Sequence, residues 1–293
     1  MNGPGPDRDG GLDLGGLAGL ETVAEQLAGV IAVVRAELAR KDAGLAVRRP
    51  VWKNLVFAGG PGSGKSRAAA AVGRTYRELG VLTTGHLTEV ASADLADISA
   101  GVPVQDTARL VREAASRARG GILMINHAPT HPSLAARDQQ VLRHLQQVLT
   151  DFRADLAVIL AGPPGALRAL MADSPALAAR FPHLITFPRY TAAQLAAIFA
   201  ALAGEAGFAL TPAAAGKAAA VLEQADAGPA SGGARLAVRL LDQATARQAR
   251  RVTAAAQPLP PAALGTVEAT DIPGHLQPHP FGPTDDPGPG QYL

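Results

Sequence analysis

Residues 54–66 read NLVFAGGPGSGKS. Leu55, Val56 and Phe57 are a short apolar run bounded by polar and glycine residues, the signature of a buried strand. From Ser66 the residues carry helical spacing as far as about Leu79, where Gly80 ends the pattern. Between strand and helix, Gly59 to Ser66 fits G-x-x-x-x-G-K-[ST] in full, in the one context that gives the motif meaning. Glycines let successive backbone N–H groups face inward at a helix N-terminus, which makes an anion nest. The expected phosphate contacts are Gly60, Pro61, Gly62, Ser63, Gly64, Lys65, Ser66 and Arg67. Lys65 is expected on the β- and γ-phosphates and the Ser66 hydroxyl in the shell of a nucleotide-bound Mg²⁺.

Working outward, apolar strands alternate with helices on both sides of this loop. The predicted order is helix 17–40, strand Asn54–Ala58, helix 66–79, strand His86–Val90, helix Asp106–Arg119 and strand Ile122–Asn126. Helix Asp138–Asp151, strand Leu156–Ala161 and strand Ile185–Phe187 follow. That alternation implies right-handed crossovers and a parallel sheet covered by helices on both faces. From Pro188 no strand is predicted. Helices at about 192–205, 211–224 and 234–255 predict a small helical domain instead. The resulting division is a disordered leader over 1–11, a nucleotide-binding α/β domain over 12–187, a helical lid over 188–255 and a Pro/Gly-rich tail over 256–293. Within that tail the patch Asp271–Ile272–Pro273 is a candidate for docking back on the protein.

The totals narrow the function. The 293 residues are 47% hydrophobic but only 4% aromatic, so the core is expected to be Ala, Leu and Val packed chiefly by helices. Formal net charge is +2, with basic residues scattered and not interleaved with aromatics, so no nucleic-acid partner is expected. The absence of cysteine excludes disulfides, thiolate zinc sites and a cysteine nucleophile. No apolar run approaches the roughly 20 residues of a membrane span, and a cytoplasmic protein is the expectation. A Ser–His–Asp hydrolase lacks its G-x-S-x-G elbow here.

The strand 122–126 raises the chemical question. It is entered from Gly120-Gly121 and reads ILMIN, with His127 next. In a chain with a phosphate loop such a strand usually ends in two acids, and this one ends in none. His127 and His131 stand four apart, but Pro129 between them opposes a helix and no third ligand is evident, so they do not read as a metal site.

Taken together, LGGLAGLETVAEQ, NLVFAGGPGSGKS, GRTYRELGVLTTGHLTEVASADL, DLAVILAG, ARFPHLITFPRYTAAQL, LLDQATARQARRV and a late DIPG occur in an order that resembles the CbbX/SpoVK-like branch of AAA+ ATPases, which includes the red-type Rubisco activases. The resemblance runs from about Leu12 to Pro273. It implies a P-loop α/β domain followed by a helical lid, ATP or ADP with Mg²⁺ as cofactor, and assembly into a ring, typically a hexamer. It also implies that Arg180, in ARF, presents an arginine finger to a neighbouring subunit, and that Arg235, in GGAR, is the lid arginine that senses the nucleotide.

Two departures accompany these matches. Where the family pattern resembles FIDEA, this chain reads MINHA. Asn126 keeps the shape and one acceptor oxygen of the Mg²⁺-holding Asp but loses its charge. His127 replaces the Glu that orients or deprotonates water; as neutral imidazole it is the one candidate base. In the second, ADISAGVPVQDTARL puts Pro103 where the family's pore loop has an aromatic and Gln105 where it has a glycine. No Tyr, Phe or Trp occurs between Tyr76 and Phe152.

The expected protein is therefore an ATP-binding AAA+ member with weak or absent hydrolysis, a regulatory or structural subunit of a homo- or hetero-oligomeric ring, with an active paralogue as one candidate companion. The alternatives are an active remodelling ATPase that uses unusual residues, and an interaction module with an empty pocket. The sequence names no protein partner.

Overall fold

The computed structural model describes residues 19–46, 53–92, 94, 105–126, 135–226, 232–255 and 260–277, without the side chains of 105–107 and 135–142. The leader at 1–11, Pro103, His127, His131 and residues 278–293 lie outside the described residues, as do the side chains of Gln105 and Thr107. The chain divides into two units: 1–15, 22–59 and 65–187 form one, and 16–21, 60–64 and 188–293 the other.

The first unit is built on strands β1 (Leu55–Ala58), β2 (Leu87–Ala91), β3 (Ile122–Asn126), β4 (Ala157–Gly162) and β5 (His183–Thr186). They form a five-stranded sheet in the order β2-β3-β4-β1-β5, with all pairings parallel. Parallel strands need helical crossovers, supplied by α2 (Lys65–Glu78), α3 (Gln105–Arg117), α4 (Ala135–Asp151), α5 (Pro164–Asp173) and α6 (Pro175–Ala178). The helix α1 (Glu21–Asp42) comes before them.

The inner strands β1, β3 and β4 are buried on both faces and so read as continuous apolar runs. Val56, Leu123, Ile125, Val158 and Leu160 face one core, filled by Val111, Ala114 and Ala118 of the α3 region, Leu145, Val148 and Leu149 of α4, and Leu167 and Leu170 of α5. Residues of the opposite parity, among them Ile122, Met124 and Asn126, face the side against which α2 packs. There the approach is close: a Cβ at Gly73 of α2 would lie 2.2 Å from the Gly85 carbonyl and 3.4 Å from the Ile122 Cδ1. Small residues at this crossing let the middle of α2 lie close to the beginnings of β2 and β3. At the sheet's edge, Gln26 of α1 accepts the Thr186 N–H at 2.9 Å and donates to the Thr186 carbonyl at 3.3 Å, covering backbone that β5 leaves open.

The second unit contains α7 (Ala192–Glu205), α8 (Pro212–Asp226) and α9 (Ala234–Thr253). Thr191 and Gln194 form a reciprocal capping box that starts α7, in agreement with the T-x-x-Q pattern. The expectation that strands cease at Pro188 is corrected: β6 (Ala209–Leu210) and β7 (Thr266–Val267) pair in parallel, after α10 (Pro261–Leu264). The segment 260–277, expected as part of a tail, thus forms regular structure.

Asp271 anchors that segment. Its side chain is 2% exposed and pairs with Arg251 through Nε and Nη2, each at 2.9 Å. It also accepts the Glu268 N–H at 2.8 Å, and Ile272 beside it is fully buried. Burial alone would raise the Asp271 pKa, but the Arg251 hydrogen bonds, the Glu268 amide and the Arg251 charge together hold it below the ordinary carboxylate value. Asp271→Asn is expected to cost this unit about 1.5–2 kcal/mol, because the buried side chain loses its charged hydrogen bonds to Arg251, while Arg251, partly exposed, keeps its ion pair with Glu268. Because the folded pKa is depressed, the contribution is complete above the ordinary value of 3.8 and is lost as pH falls through the folded one. Urea denaturation of the two proteins at neutral pH and in acid measures this: a difference that does not shrink in acid contradicts it.

Candidate nucleotide and metal site

The loop between β1 and α2 has the backbone its glycines predict. Gly62 and Gly64 adopt φ of +66° and +88°, a left-handed geometry that turns consecutive N–H groups to one side. Side chains are excluded at both positions. A Cβ at Gly62 would stand 1.9 Å from the Gly232 carbonyl, and one at Gly64 would stand 2.7 Å from Leu20 Cδ1 and 2.8 Å from the Tyr190 hydroxyl. That hydroxyl donates to the Ser63 carbonyl at 3.3 Å. The Gly62 carbonyl accepts the Ala234 N–H at 2.9 Å, satisfying one of the open donors at the start of α9. Arg235 is the next residue of α9 and its side chain is exposed.

Lys65 opens α2, and its ammonium donates to the Gly59 carbonyl at 3.1 Å. Ser66, in the first turn of α2, donates from its hydroxyl to Glu89 Oε2 at 3.0 Å. Asn126, the last residue of β3, donates from Nδ2 to the same oxygen at 3.2 Å. The structure therefore brings the two sequence-predicted metal positions, Ser66 and Asn126, onto one carboxylate that sequence reasoning passed over. Glu89 lies on β2, which pairs with β3 in the register Glu89↔Met124 and Ala91↔Asn126. The signal was present: an acid in the strand beside β3, on the face that carries Asn126. The hydroxyl, carboxylate and amide are hard oxygen donors and fit Mg²⁺, with Asn126 turning its amide oxygen inward. Among the described residues no three His, Cys, Asp or Glu side chains cluster as a metal site. One carboxylate suits an ion that arrives with its own phosphates.

Arg180 lies elsewhere. Its carbonyl accepts from Asn54 Nδ2 at 3.2 Å, just before β1 begins, and its Nη2 donates to Thr150 Oγ1 at 3.3 Å. Asn54, 4% exposed, also accepts the Val158 N–H at 2.9 Å, so the position is fixed to two strands. Arg180 thus stands at the edge of the sheet where the strands begin, whereas Ser66 and Asn126 stand where they end. The structure does not bring Arg180 to the site of its own chain.

A parallel sheet of this order, with a complete phosphate loop between β1 and α2, defines an α/β P-loop NTPase. The match of residues 191–280 to the AAA lid domain adds the second unit. A structure of the FIGL-1 AAA domain in complex with ADP shares the fold, with a TM-score of 0.56 at 17% identity, covering 88% of this chain and 80% of that one. Protein CbbX of Cereibacter sphaeroides is 32% identical over 260 residues, 87% of this chain and 82% of its own length. The chloroplastic ribulose bisphosphate carboxylase/oxygenase activase of Cyanidioschyzon merolae is 29% identical over 87% of each chain. The chain belongs to the CbbX/CfxQ-type family of AAA+ proteins.

Proposed function

We propose that this AAA+ protein binds ATP or ADP with Mg²⁺ and hydrolyses it weakly or not at all. It acts as a regulatory or structural subunit of a ring, or as a nucleotide-gated scaffold. One observation carries the reading: a complete Lys65 loop stands beside a strand whose last residue is Asn126, an amide in place of a carboxylate. Binding needs the nest, Lys65 and Ser66, all of which are present. Hydrolysis also needs a group to orient and deprotonate water, and the position after Asn126 is His127 instead of a glutamate. Mg²⁺, when bound, neutralises phosphate charge. Ser66 and Asn126 are the side chains proposed to hold it, and Arg67 and Arg235 are proposed as further nucleotide contacts.

Ring assembly is supported by family membership and by the place of Arg180. An arginine fixed where the strands begin suits the nucleotide of a neighbouring subunit. The replacement of the pore-loop aromatic by Pro103 supports a ring that does not pull a peptide. No helix among the described residues is long and apolar enough to cross a membrane, and a cytoplasmic location is part of the proposal.

The test is nucleotide and mass together. The purified protein is expected to retain stoichiometric ATP or ADP, and its mass in solution with nucleotide is expected to be a multiple of the single chain. Protein that carries no nucleotide, takes up none and stays a single chain would favour an interaction module.

A further inference from the structure

Asn126 has lost a charge, but the site has not. We propose that Glu89, on the neighbouring strand β2, supplies the anionic group for the nucleotide-bound divalent cation that the neutral Asn126 does not. This rests on the reading that the loop binds nucleotide, and it names a residue which that reading does not use.

The geometry carries it. Glu89 Oε2 is 3.0 Å from the Ser66 hydroxyl and 3.2 Å from the Asn126 amide, so the groups of the cation's shell already meet at this carboxylate. In the register Ala91↔Asn126, Glu89 is two residues back along β2 and on the same face, a reach its longer side chain covers. The close crossing of Gly73 against Gly85 holds α2, and hence Ser66, on that face.

Charge explains the choice of residues. With Asn126 alone, the protein would offer the cation only neutral oxygens. With a second carboxylate in place of the Asn126 amide, the two acids would repel one another whenever the cation is absent. Asn126 with Glu89 keeps one charge and gives each group a hydrogen bond in the cation-free state. The pair therefore preserves metal binding. It does not restore a base, because Glu89 is occupied by the very groups that hold the ion.

Three variants test this, with affinity for a non-hydrolysable ATP analogue measured in excess Mg²⁺ and in EDTA. In the unaltered chain Mg²⁺ is expected to tighten binding. In Glu89→Gln, which keeps the side chain's shape, that advantage should fall on the order of 10-fold or more, while metal-free binding does not weaken, because the carboxylate removed repels phosphate when no cation lies between them. Glu89→Gln combined with Asn126→Asp returns the charge to β3 and should recover the advantage. Lys65→Ala should instead weaken binding under both conditions. Electron paramagnetic resonance with Mn²⁺ and the analogue gives a second readout: nucleotide-dependent Mn²⁺ binding should fall in Glu89→Gln and return in the double variant. An unchanged Mg²⁺ advantage in Glu89→Gln, or none in the double variant, overturns the role of Glu89 and leaves nucleotide binding standing. No binding to the unaltered chain overturns both.

Discussion

Replacing Lys65 by alanine is expected to abolish the thermal stabilisation that ATP and Mg²⁺ give the unaltered protein. A ligand that binds only the folded state at a hundredfold excess over its Kd stabilises by about 2.7 kcal/mol, which for a protein of this size shifts the melting point by about 5 °C or more. Lys65 is the one charged side chain of the loop from Gly59 to Ser66; its ammonium donates to the Gly59 carbonyl at 3.1 Å and is proposed to turn to the phosphates of a bound nucleotide. Loss of its charged hydrogen bonds is worth about 2–3 kcal/mol, or on the order of 100-fold in affinity. The side chain is not part of the core, and without nucleotide the variant should melt as the unaltered protein does. A shift that survives in Lys65→Ala would remove the loop from the account.

The second large effect is a gain. If only the end of β3 blocks turnover, Asn126→Asp with His127→Glu should raise steady-state phosphate release by about 10²–10⁴-fold, the range a positioned general base supplies. Saturating Mg²⁺ is needed, because the carboxylate introduced on β3 and Glu89 would otherwise repel one another at a shared site. A double variant that binds nucleotide yet releases no more phosphate would show that the missing acids are not the only block. The place of Arg180 indicates where a second one would lie: an assembly that fails to bring a neighbour's arginine to the site.

Much of this was legible in residues 54–66 and 122–126. β1, β3 and β4 are buried on both faces, so their apolar runs stand out, and Gly80 ends α2 through a positive φ of +70° as its position suggests. What escaped reading did so for physical reasons. The helices α5 and α6 begin at Pro164 and Pro175, and proline, which breaks a helix interior, is equally at home in its first turn. The strands β6 and β7 are two residues each, too short for any period to show. The stretch 260–277 resembles a tail in its proline content, yet its patch Asp271–Ile272–Pro273, the docking candidate, does pack: Ile272 is fully buried, and Asp271 meets Arg251, a partner twenty residues away that no local pattern names. Glu89 is the most instructive miss. In GHLTEV it looks like an ordinary polar position on a half-exposed strand, and its partners come from 23 and 37 residues away, on a helix and on another strand.

The central claim is that binding and hydrolysis are separated in this protein, and a single-turnover experiment tests it most directly. Protein in excess over radiolabelled ATP, with Mg²⁺ present, is followed by separating bound ATP from ADP over time. The account predicts that the label becomes protein-bound and remains ATP. Prompt conversion to ADP by the unaltered chain, absent in Lys65→Ala, would contradict it and make this member of the family a working ATPase.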